Sequence, residues 1–585
     1  MAEQTQTKRT SNDWAVIRRL SVYLREDSKL LWVVLLLLTL YAAAQALGPV
    51  LIGRAVDQYI TVGDRSGLTQ TMLLLLGVYI VQYLSFMGQV RLVGTISNRL
   101  LKRLRGDIFG HTQKLSLNYF FRHGTGDLMS RLVNDTGSIS DLFGQQLSQS
   151  LSSVFALIGI IIAMFTLNVT LSVTTLIILP VMVATTIYFS RRSRVAFRET
   201  RETLGNLSKH LEESLSSIRE TQAFARSALN IEQFEEDNAA NRDANIHAVN
   251  ITAAFSPTMD VLSTLARVIV AGVGGWMAFN DIVTVGIVVT FLSYSQQFFR
   301  PVQMLSNLYT RMQSAFAASE RVFELLDTQP EIVDKLDAAE MPPISGHVKF
   351  DEVVFGYDES RVILDGITIE SKPGETIALV GGTGSGKSTV VNLIGRFYDV
   401  NSGQVTVDGY DVRDVTKSSL RGQMGEVPQN SFLFGDTIAN NIRYGRPDAS
   451  MDEVIAASKA ARAHEFVIGL PDSYETKLSA SGSISQGQRQ LLCIARAILA
   501  DPQLLVLDEA TSNIDTRTER LVQAAIDELL QNRTAFVIAH RLSTIRHADK
   551  ILVIGDGKIL EQGGHDELVT LDGMYASLVR QQSLV

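Results

Sequence analysis

A chain of 585 residues is too long for one ordinary hydrophobic core, so length alone predicts two or more domains. Hydrophobic residues make up 46% and charged residues 19%, a mixture expected of a chain that is part membrane-embedded and part soluble. A net charge of −8 without a dense basic tract gives no sign of nucleic acid as a partner, so none is expected, and the single cysteine, Cys493, excludes an intramolecular disulfide and a cysteine-based zinc site.

The first dozen residues are polar and show no cleavable signal peptide. From Trp14 to Leu24, apolar and basic residues alternate at helical spacing, as in a helix lying at a membrane surface. Leu30 to Leu51 is then apolar enough and long enough to cross a bilayer core of roughly 30 Å. Further spans are expected at Thr71–Val90, Ser150–Leu167, Thr170–Phe189, Met259–Phe279 and Ile282–Leu305, which makes six. The last two carry Asp260, Arg267 and glutamines. Charges at that depth are expected to face a bundle interior or a polar cavity.

Basic clusters precede the first span (Arg18, Arg19, Arg25, Lys29) and follow the second (Arg99, Lys102, Arg103, Arg105) and the fourth (Arg191, Arg192, Arg194, Arg198). With six spans all three fall on one side, which the positive-inside rule makes the cytoplasm, with both termini on it. The expected location is the cell (plasma or inner) membrane, as a multi-pass protein. The outer loops are short, whereas Arg91–Gln149 and Arg191–Ser256 are long, charged and helix-permissive, enough for helical legs that project about 40 Å. Their elbows are expected near Tyr119–Gly124 and near Ser217–Phe224, where aromatic knobs sit beside charges as in a short docking helix.

These features divide the chain into a membrane domain over residues 1–326, an acidic, proline-bearing linker over 327–345 and an α/β domain over 346–585. In the last, the apolar run Thr376–Val380 leads into Gly381-Gly382-Thr383-Gly384-Ser385-Gly386-Lys387-Ser388 and a helix-like stretch from Thr389. Strand, glycine loop and helix are the context of a P-loop, whose backbone N–H groups cradle phosphates at a helix N-terminus. Lys387 is placed to reach the β- and γ-phosphates of ATP, and Ser388 to ligate Mg²⁺.

Other candidates flank it. Tyr357, at the close of the strand-like stretch 347–355, offers a ring to stack on adenine. Gln429, after the short strand 424–428, offers an amide to Mg²⁺ or to the attacking water. Leu504–Leu507 delivers Asp508 and Glu509 at a strand's carboxyl end, where α/β sheets bind ligands. Asp508 suits the metal, and Glu509 suits orienting or deprotonating water for attack on the γ-phosphate. Phe536–Ala539 delivers His540 from another strand end.

Between Lys387 and Asp508 lies Ile484-Ser-Gln-Gly-Gln-Arg-Gln490, which resembles the signature motif of ATP-binding cassette (ABC) proteins. P-loop, signature, carboxylate pair, Gln429, Tyr357 and His540 follow that family's order. Six spans with two long cytoplasmic hairpins and one cassette resemble an exporter half-transporter. The resemblance implies an α-helical membrane bundle followed by an α/β P-loop ATPase, and a dimer with a second half-transporter that sandwiches two ATP molecules. It implies that Ser485, Gly487 and Gln488 meet the ATP held by the partner, that Asp515 crosses the interface, and that His540 grips the γ-phosphate. The second elbow would dock on the opposite cassette. Membrane lipid and a small, amphipathic, lipid-like or drug-like substrate are the implied partners. An importer on the same scaffold, or an ATP-gated channel or regulator, are the alternatives.

Two departures stand out. The signature reads Ile484-Ser-Gln-Gly-Gln488 rather than the usual Leu-Ser-Gly-Gly-Gln, and Leu478–Ser483 lacks the Gly-Glu pair common in exporters. A Gln-bearing signature beside an intact Glu509 is also similar to the competent half of heterodimeric exporters.

Overall fold

The computed structural model describes residues 13–358, 361–429, 431–478, 484–508, 515–538 and 545–583. By their contacts they form two compact units, one of residues up to 113 with 124–328, the other of 114–123 with the described residues from 329 onward.

The first unit is helical. Helix α1 (Asp13–Leu24) buries Val16 and Leu20 and exposes Trp14 and Val22, the amphipathic split expected of an interfacial helix. Its Arg19 pairs with Asp327, with Nη2 2.8 Å from Oδ1, and lies 4.1 Å above the Phe323 ring. Helix α2 (Ser28–Arg54) is followed by α3 (Arg65–Thr112), which starts at an Asp64 cap. At 48 residues, α3 extends about 72 Å. Helix α4 (Leu117–Ser130) is interrupted at Gly124, where φ is 65° and ψ is 152°. A short α5 (Thr136–Asp141) leads to α6 (Leu147–Leu167), then α7 (Val169–Leu176) and α8 (Ile178–Ser216). Helix α9 (Ile218–Ala223) turns the chain into α10 (Ser227–Phe279), followed by α11 (Val285–Gln297) and α12 (Phe299–Asp327).

Among the described residues, five helical stretches are long and apolar enough to cross a membrane, and they cover the first five expected spans. The sixth falls on α11 and the start of α12, which separate at Phe298. Pro301 has no N–H to give to Gln297, so the helical ladder breaks there. Pro180 divides α7 from α8 beside Leu176 for the same reason. The charged residues of α10 flank its buried face. Met259, Ser263, Ala266, Val270 and Met277 form its buried stripe, which leaves Asp260 exposed and Arg267 half-buried with its guanidinium on Thr264 Oγ1 at 3.0 Å.

Both elbows are short helices where the sequence placed them. The first, in α4 before Gly124, belongs to the second unit: Ser116 Oγ and Asn118 Nδ2 donate to the Glu331 carboxylate at 3.2 and 3.1 Å. The second, α9, buries none of its residues and exposes Ile218, with Phe224 exposed just beyond it.

The second unit holds two sheets. Strands β1 (Val348–Phe355), β2 (Leu364–Ser371), β4 (Ser402–Val407) and β5 (Tyr410–Asp411) make an antiparallel sheet in the order β2-β1-β4-β5. The six-stranded sheet runs β10-β9-β3-β8-β7-β6, from β3 (Thr376–Val380), β6 (Met424–Val427), β7 (Leu504–Asp508), β8 (Thr534–Ile538), β9 (Lys550–Gly555) and β10 (Lys558–Gly563). All but β10 are parallel, so their carboxyl ends share one edge.

Alternation along β3 sends Ile377 and Leu379 into a core with Phe350 and Phe536, and Ala378 and Val380 into a second core on the other face. Helices α13 (Lys387–Ile394), α14 (Lys417–Arg421), α15 (Ile438–Arg443), α16 (Met451–Ala460), α17 (His464–Ile468) and α18 (Gln486–Ala500) follow in chain order, and the second core packs against α15, α16 and α18. Cys493, 2% exposed in α18, is buried there, and burial raises its thiol pKa. Residues 329–345 are laid along this unit: Met341 N donates to Ser419 Oγ and Ile344 N to Gln423 Oε1, both at 2.8 Å, and Arg396 reaches Asp334.

Candidate nucleotide site

The candidate site lies at the carboxyl edge of the six-stranded sheet. Strand β3 is central, between β8 and β9, and ends at Val380 immediately before Gly381. The loop closes on Gly386, the N-cap of α13 (Lys387–Ile394), whose φ of 108° is open to glycine at little cost. A Cβ at that position would lie 2.5 Å from Leu364 Cδ2, so the local backbone and its packing both select glycine. The free N–H groups at the start of α13 and the positive end of its dipole suit an anion.

Lys387 is 6% exposed, and its ammonium donates to Gly381 O at 3.0 Å and Gly382 O at 2.8 Å. Burial lowers its pKa, and the Asp508 carboxylate opposes that shift. P-loop lysine and β7 carboxylate therefore share one electrostatic site. The register explains why: Asp508 pairs with Ile538 and Leu507 with Val427, so β7 stops level with β8 and β6. Gln429 follows β6 by two residues on this same edge, with its side chain exposed.

Tyr357, just past β1, is fixed on two sides. Its hydroxyl is 3.1 Å from Thr389 Oγ1, and its ring meets Phe355 and Tyr398 edge-on with centroids 5.0 Å apart in each pair. The ring stays 37% exposed, so a surface is left for stacking.

The signature stretch opens α18. Ser485 is its N-cap in a capping box: Ser485 Oγ accepts from Gln488 N at 3.3 Å and Gln488 Oε1 accepts from Ser485 N at 2.9 Å. Gly487 is buried, and Ile484 is 8% exposed in the apolar core, so isoleucine in place of leucine is a packing change. Asp515 caps α19 (Thr516–Leu530), accepting from Arg517 N and Thr518 N at 3.1 and 3.0 Å, which holds its carboxyl below the usual range. The hydrogen bonds of Ser485, Gln488 and Asp515 thus close locally, each at its own helix start. Glu509, His540 and residues 479–483 lie outside the described residues.

One neighbour was not anticipated. Glu426 of β6 has its pKa raised by loss of solvation and by the nearby Asp508 carboxylate, although part of its side chain is exposed. Its only sequence signal is an acid within an otherwise apolar short strand.

Family models match both halves of the chain: the ABC transporter transmembrane region over residues 31–302 and the ABC transporter domain over residues 364–512. A Bacillus subtilis protein described as an uncharacterized ABC transporter ATP-binding protein, YfiC, is 42% identical over 97% of this chain and 94% of its own length. This chain belongs to the ABC transporter family. It has the layout of an exporter half-transporter, membrane region and cassette in one polypeptide. A fatty acid ABC transporter ATP-binding/permease protein of Mycobacterium bovis is 38% identical over 88% of this chain and 82% of its own. An ATP-dependent lipid A-core flippase of Syntrophus aciditrophicus is 37% identical over 86% and 84%. The half-transporter binds ATP in its cassette and couples ATP hydrolysis to transport, and its architecture requires a second half-transporter.

Proposed function

We propose that this half-transporter exports or flips amphipathic, lipid-like or drug-like molecules across the cell membrane, with both termini and the cassette in the cytoplasm. The observation that carries the reading is the convergence of P-loop, Lys387, Gln429 and Asp508 on one sheet edge, in a chain whose other half is built of span-length helices. Relatives named for fatty acids and lipid A core support the substrate class.

In this reading residues 381–389 hold the phosphates, Lys387 exchanging the Gly381 and Gly382 carbonyls for phosphate oxygens, and Tyr357 stacks on adenine. Ser388, Gln429 and Asp508 offer a hydroxyl, an amide and a carboxylate, a hard-oxygen donor set that fits Mg²⁺. Mg²⁺ would neutralise charge on the phosphates. Glu509 orients or deprotonates the attacking water, and His540 grips the γ-phosphate. Ser485, Gly487 and Gln488 complete the partner's site, where the α18 N-terminus adds its own N–H groups, and Asp515 crosses to the partner. The exposed Ile218 and Phe224 suit α9 to dock on the opposite cassette.

ATP hydrolysis by the chain expressed alone in lipid, with its mass determined in the same sample, tests this reading. A stable, active dimer means a homodimer. The Gln-bearing signature favours a second arrangement, a heterodimer with a degenerate half, which predicts an inactive chain until that half is added. Glu509→Gln should abolish turnover and retain ATP binding. Surviving turnover would remove Glu509 from its role.

A further inference from the structure

The first elbow is tied to the linker through Glu331. Its carboxylate accepts from Ser116 Oγ at 3.2 Å and from Asn118 Nδ2 at 3.1 Å to Oε1 and 3.2 Å to Oε2. Hydrogen bonds to an ionised acceptor are stronger than neutral ones, so this contact fixes where the elbow rests. The linker residues that follow are bonded in turn to the loop after α13. Arg396, 2% exposed, donates from Nη2 to Val333 O at 3.2 Å, from Nη1 to Asp334 Oδ1 at 3.2 Å and from Nε to Asp399 Oδ1 at 3.0 Å. Lys417 Nζ donates to Ile332 O at 2.6 Å. The φ of Arg396 is 49°, a left-handed conformation that is costly for a residue with a side chain and persists where such contacts impose it. Residues 332–334 and 396–399 are therefore one bonded piece.

That loop carries Tyr398, which is buried. Its ring centroid lies 5.7 Å from that of Phe355 and meets Tyr357 edge-on at 5.0 Å. Burial raises the Tyr398 hydroxyl pKa, and Tyr357 and the Glu331 carboxylate add to the shift, so the elbow's acceptor and the tyrosine pair share one electrostatic neighbourhood. Tyr398 thus supports the Tyr357 ring while its own loop holds the linker. From Asn118 the route runs through Glu331, the linker, Arg396 and Tyr398 to Tyr357, and none of it passes through the glycine loop that cradles phosphate. Arg396 and Lys417 already fasten the linker to the cassette, so the bonds from Glu331 to the elbow serve a further role.

We propose that Glu331 is a positioning residue that links the first elbow to the adenine platform, so that stacking of the base on Tyr357 and seating of the elbow on Glu331 strengthen one another. This rests on the reading of Tyr357 as the residue that stacks on adenine, and deepens it by giving the base, separately from the phosphates, an effect on the elbow. Such coupling is reciprocal, and at the lower end of its usual range it changes affinity by about fivefold.

Amide exchange of the full chain in lipid nanodiscs, with and without saturating adenylyl imidodiphosphate and Mg²⁺, tests the link. Exchange in α13 reports phosphate binding, and exchange over residues 116–123 reports the elbow. Nucleotide should slow both, the elbow by about fivefold. In Glu331→Ala, a change at an exposed position, nucleotide should still slow α13 but leave the elbow unchanged, and by reciprocity it should bind about fivefold more weakly. Asn118→Ala, which cuts the same link from the elbow's side, should repeat that result. Tyr357→Ala, loaded with nucleotide to the same protection of α13, should silence the elbow as well, and Glu331→Ala added to it should weaken nucleotide binding no further. Elbow slowing that survives in Glu331→Ala or in Tyr357→Ala, or that is absent from the unaltered chain while α13 is protected, would overturn this inference and leave the nucleotide site as read. No protection of α13 would overturn both.

Discussion

The P-loop makes a quantitative comparison possible between two of its glycines. Gly384 and Gly386 both have positive φ, 81° and 108°, so alanine at either costs about 1–2 kcal/mol for a left-handed backbone. Their surroundings differ. A Cβ on Gly384 meets nothing within 4 Å, whereas one on Gly386 comes 2.5 Å from Leu364 Cδ2. Leu364 is fully buried in the core between the two sheets, so it cannot swing away, and overpacking there costs a further 1–3 kcal/mol or about that. Gly386→Ala should therefore lose about 2–5 kcal/mol of local stability against about 1–2 for Gly384→Ala. Hydrogen exchange of the α13 amides, measured on the full chain without nucleotide, reads the difference as local opening. At 1.4 kcal/mol per decade, exchange should be about tenfold faster or more in Gly386→Ala than in Gly384→Ala. Adding Leu364→Val should recover part of the loss. Equal exchange in the two alanine variants would refute the packing argument and leave only the backbone term.

Two further expectations follow from named contacts. Tyr357→Ala should weaken ATP affinity by about 0.5–1.5 kcal/mol, a stacking contact, while Tyr357→Phe keeps the ring, loses the link to Thr389 and should retain most of the affinity; equal losses in equilibrium nucleotide binding would sink the stacking role. At Asp411 burial alone would raise the carboxyl, but the Arg413 guanidinium, 2.7 Å away, and the Arg413 N–H hold it below its ordinary value. A depressed native pKa gives stability that is full above the unfolded value, near 4 for aspartate, and is lost as pH falls through the native value. Asp411→Asn should thus lower the cassette's unfolding temperature at pH 7, and the gap should shrink as pH drops below about 4; a gap independent of pH would contradict the assignment.

Much of this architecture is legible in the sequence because its determinants are local. The P-loop fixes strand, turn and helix within fifteen or so residues, and the apolar runs before Gly381 and Asp508 are buried parallel strands. The elbows near Tyr119–Gly124 and Ser217–Phe224 are legible from aromatic residues beside charges, and the helical backbone breaks at Gly124 and at Ser217. Pro301 and Pro180 were equally readable as breaks, and apolar length alone passes over them. What the sequence conceals is the pairing of distant residues. The stretch 329–345 lacks periodicity because Ser419 and Gln423, some eighty positions on, supply its hydrogen bonds. Tyr357 is more than a strand-end tyrosine only because Thr389 comes back beside it, and the exposure of Asp260 follows from which face of α10 is buried.

In the proposed dimer each ATP is held by the P-loop of one chain and the signature of another. Where the unaltered chain alone hydrolyses ATP, this sharing is tested by mixing two variants expected to be inactive, Lys387→Ala and Ser485→Ala, and measuring ATP hydrolysis in lipid. Each variant alone breaks both sites of its dimer, but a mixed dimer pairs the intact P-loop of one chain with the intact signature of the other. Mixing should restore hydrolysis from one site per mixed dimer, whereas activity no higher than that of the separate variants would contradict a site shared between chains.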